Sequence, residues 1–233
     1  MRHILTAVAL SAICAGAQPA FAQASDAQEL YHLHFVKAAP GKLADLIDVY
    51  QNAPVPAGEQ KPVILRHREG DDWDLLVVTP YGKADHTLSA AAPSADVTAL
   101  YAKVRASAER HTDSFAAGPA WTEAQKAFVG DGIYVVGVYR SANGHRDQLV
   151  ETLKKIAASG PAGRTLSLRH VEGGPFDVIQ ITRYDSWNDI DATTPAQTER
   201  ERAQGFASPQ AASLELRQHM AEHHDTICQR VGK

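Results

Sequence analysis

The sequence predicts an α+β protein made of one structural unit written twice and closed on itself as a barrel. Three observations carry that prediction. First, Leu65-Arg66-His67-Arg68-Glu69-Gly70, with Trp73-Asp74 behind it, returns as Leu168-Arg169-His170-Val171-Glu172-Gly173 with Phe176-Asp177 behind. The copies lie 103 residues apart, and that offset holds without a gap from Tyr31/Tyr134 to Tyr81/Tyr184, with 12 of 51 positions identical. Second, both copies run through the same order of hydrophobic periods, from strand to helix to hairpin to helix. Third, a sheet covered by its own helices on one face needs a partner for the other, and a second copy supplies one.

Each element has its local reason. Tyr31-His32-Leu33-His34-Phe35 alternates at strand period, and Ala38-Ala39-Pro40-Gly41 breaks it. Leu43, Leu46, Ile47 and Tyr50 then recur at helical spacing, until Pro54 and Pro56 end the helix. Pro62–Arg68 and Trp73–Thr79 read as strands around the turn residues Glu69-Gly70-Asp71-Asp72, which makes them a hairpin. An alanine-rich loop follows Tyr81. Val97, Leu100, Tyr101, Val104 and Ala108 mark a second helix running to about His111, and a short strand is expected near Ser114-Phe115-Ala116. Trp121 is placed to tuck the following linker against the core.

The second copy repeats this order. Tyr134–Tyr139 is a strand; Leu149, Val150, Leu153 and Ile156 mark a helix; Thr165–Val171 and Phe176–Tyr184 form a hairpin around Gly173-Gly174-Pro175. The later helical region is longer and more charged, and a last strand uses Thr226-Ile227-Cys228. Strand–helix–strand–strand–helix in each half is a ferredoxin-like unit. The expected organisation is a signal segment over 1–22, a first repeat over 30–116, a linker over 117–130 and a second repeat over 131–230, forming an intramolecular pseudo-twofold α+β barrel.

The signal segment rests on a short basic start (Arg2), an apolar run from Ile4 to Ala17 and the small-x-small site Ala20-Phe21-Ala22, with cleavage after Ala22. The run is too short to span a bilayer comfortably, and Ile13 before Cys14 does not suit lipid attachment. The expected destination is the periplasm or the outside of the cell. A net charge of −4 argues against a nucleic-acid partner. Removing the segment leaves one cysteine, Cys228, which can close no internal disulfide and reads as a small packed residue.

The pattern resembles the dimeric α+β barrel superfamily, which includes antibiotic-biosynthesis monooxygenases, stress-responsive α/β-barrel proteins, and proteins of the ethyl-tert-butyl-ether-degradation and NIPSNAP kinds. The resemblance spans Tyr31 to Cys228. It is carried by the repeated strand order, by Trp73-Asp74-Leu75-Leu76-Val77 and Phe176-Asp177-Val178-Ile179, and by Tyr184-Asp185-Ser186-Trp187. It implies a cavity between the two sheets, often for aromatic or polyketide-like molecules and sometimes for haem. It implies no reaction, because function lies in the site and not in the fold, and no catalytic motif of the family can be carried over.

Candidate chemistry follows from the hairpins. A turn centred on Gly70 sets Arg66 opposite Asp74 and His67 opposite Trp73; the second copy sets Arg169 opposite Asp177 and His170 opposite Phe176. The charge pairs read either as register-fixing ion pairs or as anion clamps. His67 and His170 read either as proton donors and acceptors facing the cavity or as hydrogen-bonded rim residues. His32 and His34 share one strand face. With Tyr31, Leu33 and Phe35 turned towards the helices, both histidines would face the cavity, opposite Val135 and Gly137 of the second half. Trp73, Phe176 and Tyr139 are further ligand contacts.

No third metal ligand is evident beside His32 and His34, so no metal is predicted. His219-Met220-Ala221-Glu222-His223 matches a zinc-protease string, but no acidic residue stands well downstream of it. Helical spacing would place its two histidines on one face. No glycine-rich phosphate loop or Gly-x-Ser-x-Gly elbow is present.

The expected function is binding of a small, partly apolar organic molecule between the sheets, with cofactor-free acid–base or monooxygenase-type chemistry by His32, His34, His67 or His170. A haem-dependent barrel is the first alternative. A non-catalytic binding or interaction protein is the second, favoured if Trp73, Phe176 and leucines fill the space between the sheets. Further association of chains is left open.

Overall fold

The computed structural model describes residues 28–55, 60–83, 95–160, 163–190, 192 and 194–232. The expected signal segment and most of the alanine-rich loop after Tyr81 lie outside the described residues. The elements are β1 (Glu29–Ala38), α1 (Leu43–Gln51), β2 (Val63–Glu69), β3 (Leu75–Lys83), α2 (Ala95–Ser107), β4 (Ala108–Gly118), α3 (Trp121–Ala124), β5 (Ile133–Ser141), α4 (Arg146–Ser159), β6 (Thr165–Glu172), β7 (Val178–Tyr184), α5 (Pro195–Ala203), α6 (Pro209–His219) and β8 (Met220–Val231). The strands close into one antiparallel barrel in the order β1-β3-β2-β8-β5-β7-β6-β4.

β4 and β8 differ most from expectation. Each was expected as a three-residue strand, with helix before it reaching about His111 in the first half. They are instead 11 and 12 residues long. β4 pairs with β1 from Glu29↔Gly118 to Ala38↔Ala108. That ladder satisfies the backbone of Ala108–Asp113, whose side chains are too polar to announce a strand. His219 ends α6 and His223 lies in β8, so the two do not share a helix face.

The faces of β1 are also reversed from expectation. Tyr31 and Leu33 point into the barrel, in one cluster with Leu65, Leu76, Tyr134, Leu168 and Ile179 from the other strands. Val36 belongs to a second cluster with Leu46 and Tyr50 of α1 and Val104 of α2, so the His32–His34–Val36 face looks outward under those helices. Leu149 and Leu153 of α4 cover Val178 of β7 in the same manner. Alternation separates the two faces of a strand but does not say which cover each face receives when both are buried.

The barrel interior is filled by side chains, in keeping with the narrow interior of an eight-stranded barrel. Trp121 packs 6.2 Å from Tyr31, and Phe128 6.1 Å from Tyr134, stopping one end. Phe35 contacts Trp73 at 5.4 Å and Phe176 at 6.4 Å at the other. Among the described residues, side chains therefore occupy the interior where a ligand chamber was expected, and a cleft of about 190 Å³ lies at the Phe35–Trp73–Phe176 end.

Both hairpins sit one residue off the expected register. Arg66 pairs with Leu75 and Arg169 with Val178, so the Arg66–Asp74 and Arg169–Asp177 cross-strand pairs do not form. A one-residue slip turns a side chain to the other face. Asp74 instead accepts the N–H of Ala38 at 2.7 Å. Asp177 accepts the N–H and the hydroxyl of Ser141 at 2.8 and 2.7 Å.

The repeated Glu-Gly of the motif has a structural task. Gly70 (φ +122°) lies against the backbone of Asp225 and Thr226, and Gly173 (φ +73°) against that of Asp113 and Ser114. These contacts lie beside the seams β2/β8 and β4/β6, where strands from the first and second parts of the chain pair. A side chain at either glycine would meet a neighbouring strand's backbone, and positive φ already disfavours one.

Candidate functional site

His32, His34, Asp113 and His111 form the densest cluster of polar chemistry on the outward face of β1 and β4. His32 and His34 are two residues apart on β1 and so share a face. Pairing sets Asp113 directly opposite His34 and His111 opposite Val36. His32 Nε2 lies 2.8 Å, and His34 Nδ1 2.6 Å, from Asp113 Oδ1; His111 Nδ1 lies 2.9 Å from Oδ2. One carboxylate thus accepts from three imidazoles. The His32 and His34 hydrogen bonds hold the Asp113 carboxyl well below the usual carboxylate range, against the opposing effect of burial.

The surroundings grade from dry to wet. The His34 side chain is 11% exposed and His32 20%, whereas Asp113 and His111 are 42% and 49% exposed. Nε2 of His34 is buried with no partner. The Tyr50 ring from α1 stands 6.0 Å from His34, and Phe115 stacks on His32 at 5.1 Å with Tyr81 edge-on behind it. Burial, and then the charge of Asp113, raise the phenols of Tyr50 and of Tyr101 on α2. His111 also borders the cleft of about 190 Å³ at the barrel end, which Phe35, Trp73 and Phe176 line.

Of the sequence-predicted residues, His32 and His34 belong to this cluster, on the outer face rather than in the barrel. His67 and His170 do not. They sit at opposite seams, paired with Cys228 and Ala116, with His67 at 5.6 Å from Trp73 and His170 at 5.1 Å from Phe176. The His170 ring is hydrogen-bonded to the Gly173 carbonyl, while Nε2 of His67 is buried without a partner. Arg66 is exposed opposite Leu75, and Arg169 pairs with Asp147 at 3.3 Å. Neither arginine faces the cluster. Tyr139 lies on the helix-covered face of β5, stacked on His223 at 5.9 Å. Cys228 is buried, which raises its thiol out of the reactive range.

Asp113, His111 and Tyr50 were missed from sequence. The available signal was His111-x-Asp113-x-Phe115, a strand-period run that the helical reading of 97–111 cut in two. Asp113 supplies the third candidate ligand that the sequence reading lacked: one donor atom each from His32, His34 and Asp113 lies within 4.8 Å of the others.

Among the described residues, two clefts bear on the haem alternative. A larger cleft, about 570 Å³, lies between α1 and α2, but Asp45, Asp48, Asp96 and Lys103 line it with no histidine. The cleft that His111 borders is smaller than the roughly 300–1,000 Å³ of sites for drug-sized ligands.

No protein-family model and no curated protein matches the sequence. Among solved structures the chain is similar to an anthrone oxidase-like protein, with 13% identity and a TM-score of 0.54, covering 90% of this chain and 93% of that one. It is also similar to a candidate monooxygenase from Lactobacillus acidophilus (12% identity, TM-score 0.55, coverage 88% and 94%) and one from Fusobacterium nucleatum (13%, 0.56, 88% and 93%). These neighbours have the dimeric α+β barrel fold. At this identity the likeness establishes the fold alone.

Proposed function

We propose that this chain is a small-molecule enzyme of the monooxygenase-type barrels, exported to the periplasm, whose reacting centre is the His32–His34–His111–Asp113 cluster. Its ligand would be a single-ring or similarly small aromatic molecule, seated in the barrel-end cleft on Phe35, Trp73 and Phe176. His111 would take a proton from an activated C–H or phenolic O–H of that molecule, with Asp113 fixing its orientation. The carrying observation is the double position of His111: it hydrogen-bonds the carboxylate that gathers the other imidazoles, and it borders the aromatic cleft. The neighbours' descriptions as anthrone oxidase-like and monooxygenase suggest oxygenation as the overall reaction.

On this reading the barrel is a tandem repeat about a pseudo-twofold axis. The 51 aligned positions support it, and so do the registers: His34 faces Asp113 as Gly137 faces Asp225, and Val36 faces His111 as Tyr139 faces His223. The first copy has kept or gained His32 and His34, and the second, with Val135 and Gly137 in those places, has not. The filled interior would by itself favour a non-catalytic protein; the outer-face cluster favours an enzyme.

The test is a panel of small phenols and aromatic acids titrated against the mature protein, read by tryptophan fluorescence and by turnover under air. A hit should lose binding in Trp73→Ala, while His111→Ala should keep binding and lose turnover by the roughly 10²–10⁴-fold expected of a general base. Binding indifferent to Trp73→Ala and Phe176→Ala would remove the cleft from consideration. Intact mass of the exported protein should begin at Gln23.

A further inference from the structure

We propose that His32, His34 and Asp113 bind one divalent transition-metal ion on the outer face of β1 and β4. The inference rests on the reading of this cluster as the functional site and names what would activate an oxygen there.

The register builds a three-donor set. β1 offers two imidazoles from one face, and β4 a carboxylate directly across from His34. His32 Nε2 and His34 Nδ1 converge on the same oxygen of Asp113, at 2.8 and 2.6 Å, rather than dividing between its two oxygens. A tetrahedral ion with bonds of about 2.0–2.1 Å needs donors about 3.3 Å apart, so an outward shift of roughly half an ångström would admit one. His111 holds the other carboxylate oxygen, the kind of outer contact that orients a ligating group.

A purely structural role is the competing account, in which Asp113 simply orients two histidines. The ion would take Nδ1, so the unpartnered Nε2 of His34 stands in both accounts; what favours an ion is that two imidazoles from one strand converge on a single carboxylate oxygen.

The donors define the ion class. Two imidazole nitrogens and one carboxylate oxygen suit zinc, cobalt(II), iron(II), nickel(II) or copper(II) rather than magnesium or calcium. Three protein ligands leave a position for water or a substrate oxygen.

The second half supplies a control within the chain. Asp225 faces Gly137, not a histidine. A Cβ on Gly137 would lie 2.6 Å from the Tyr139 hydroxyl, so that phenol fills the place that the His34 ring takes in the first half. Among the described residues, only the first of these two sets is complete.

The experiment uses the mature chain, free of any affinity tag and stripped with a chelator. Cobalt(II) is titrated in and followed by its visible d–d absorption, and zinc(II) by calorimetry. The expected result is one ion per chain, weakened at least tenfold by His32→Gln and by Asp113→Asn, and unchanged by His223→Ala or His145→Ala. Both weakening variants change exposed or partly exposed side chains, and circular dichroism checks that each is folded.

No stoichiometric binding, two ions per chain, or binding that survives both His32→Gln and Asp113→Asn would overturn the proposal. If no ion binds but aromatic turnover still depends on His111, the metal site fails and the enzyme reading stands. If the ion binds as expected but Trp73→Ala leaves every aromatic ligand untouched, the metal site stands and the cleft reading fails.

Discussion

Gly137→Ala should destabilise the protein although it adds only one methyl group in a strand. The new Cβ would lie 2.6 Å from the Tyr139 hydroxyl and 2.7 Å from Cε2 of the same ring. The ring has little room to withdraw, because it stacks on His223 with planes 10° apart and is buried enough to raise its phenol. Overpacking of this kind costs about 1–3 kcal/mol, and replacing a strand glycine by alanine returns roughly 0.5–1 kcal/mol, so a net loss of about 1–2 kcal/mol is expected. Tyr139→Val installs the residue found at the matching position 36 and should by itself cost about 2–3 kcal/mol as a partial aromatic truncation. In the double variant the clash has gone. Its loss should fall about 1–2 kcal/mol short of the sum of the singles, a coupling that urea denaturation resolves if the slopes stay equal. A Gly137→Ala protein as stable as wild type, or an additive cycle, would refute the claim that Tyr139 occupies the position corresponding to His34.

Three further outcomes follow from the fold. Leu33→Ala should cost about 2–5 kcal/mol in chemical denaturation, since Leu33 is fully buried in the barrel; a loss below 1 kcal/mol would return that face to the surface. Gly173→Ala should cost more than about 2 kcal/mol, combining left-handed strain with contact on the Asp113 carbonyl, and a neutral result would contradict the seam geometry. Burial opposes ionisation of Asp177, but the Ser141 N–H and hydroxyl, with Arg146, hold its carboxyl below the ordinary value. A folded pKa below the unfolded value of about 3.9 means that this stabilisation is complete above about pH 4 and is lost as pH falls through the folded pKa. Asp177→Asn should therefore be less stable at pH 7 by about 1–3 kcal/mol and show a shallower acid limb; an unchanged limb would sink the assignment.

The order of strands and helices was legible because each carries its own period: Leu43, Leu46, Ile47 and Tyr50 admit only a helix, and Tyr31 to Phe35 only a strand. The facing of β1 was not. Tyr31, Leu33 and Phe35 look like a face packed on helices, and His32 and His34 like one lining a polar cavity. In this barrel both faces are covered, and nothing local distinguishes sheet-on-sheet cover from helix-on-sheet cover. The hairpin register depended on a turn count of one residue, which decided whether Asp74 met Arg66 or the Ala38 N–H. The cluster itself was half visible. His32 and His34 stood out, but Asp113 joins them only through a ladder of 10 aligned pairs between strands far apart in sequence.

The segment repeated most faithfully lies outside the proposed centre, and the seam explains why it is repeated. Leu65, Gly70 and Asp74, like Leu168, Gly173 and Asp177, meet demands that both halves share. The leucines fill the barrel, the glycines let a turn approach a neighbouring strand, and the carboxylates bind the N–H of Ala38 or Ser141. On the proposed repeat reading, a tandem barrel closed by two like seams must satisfy these twice, so identity accumulates there whatever the protein does. A reacting centre needs only one copy. On the repeat reading, the informative positions are those where the halves part: His32 against Val135, His34 against Gly137, and Val36 against Tyr139. There the first half gathers imidazoles around Asp113, while the second closes the corresponding space with a phenol.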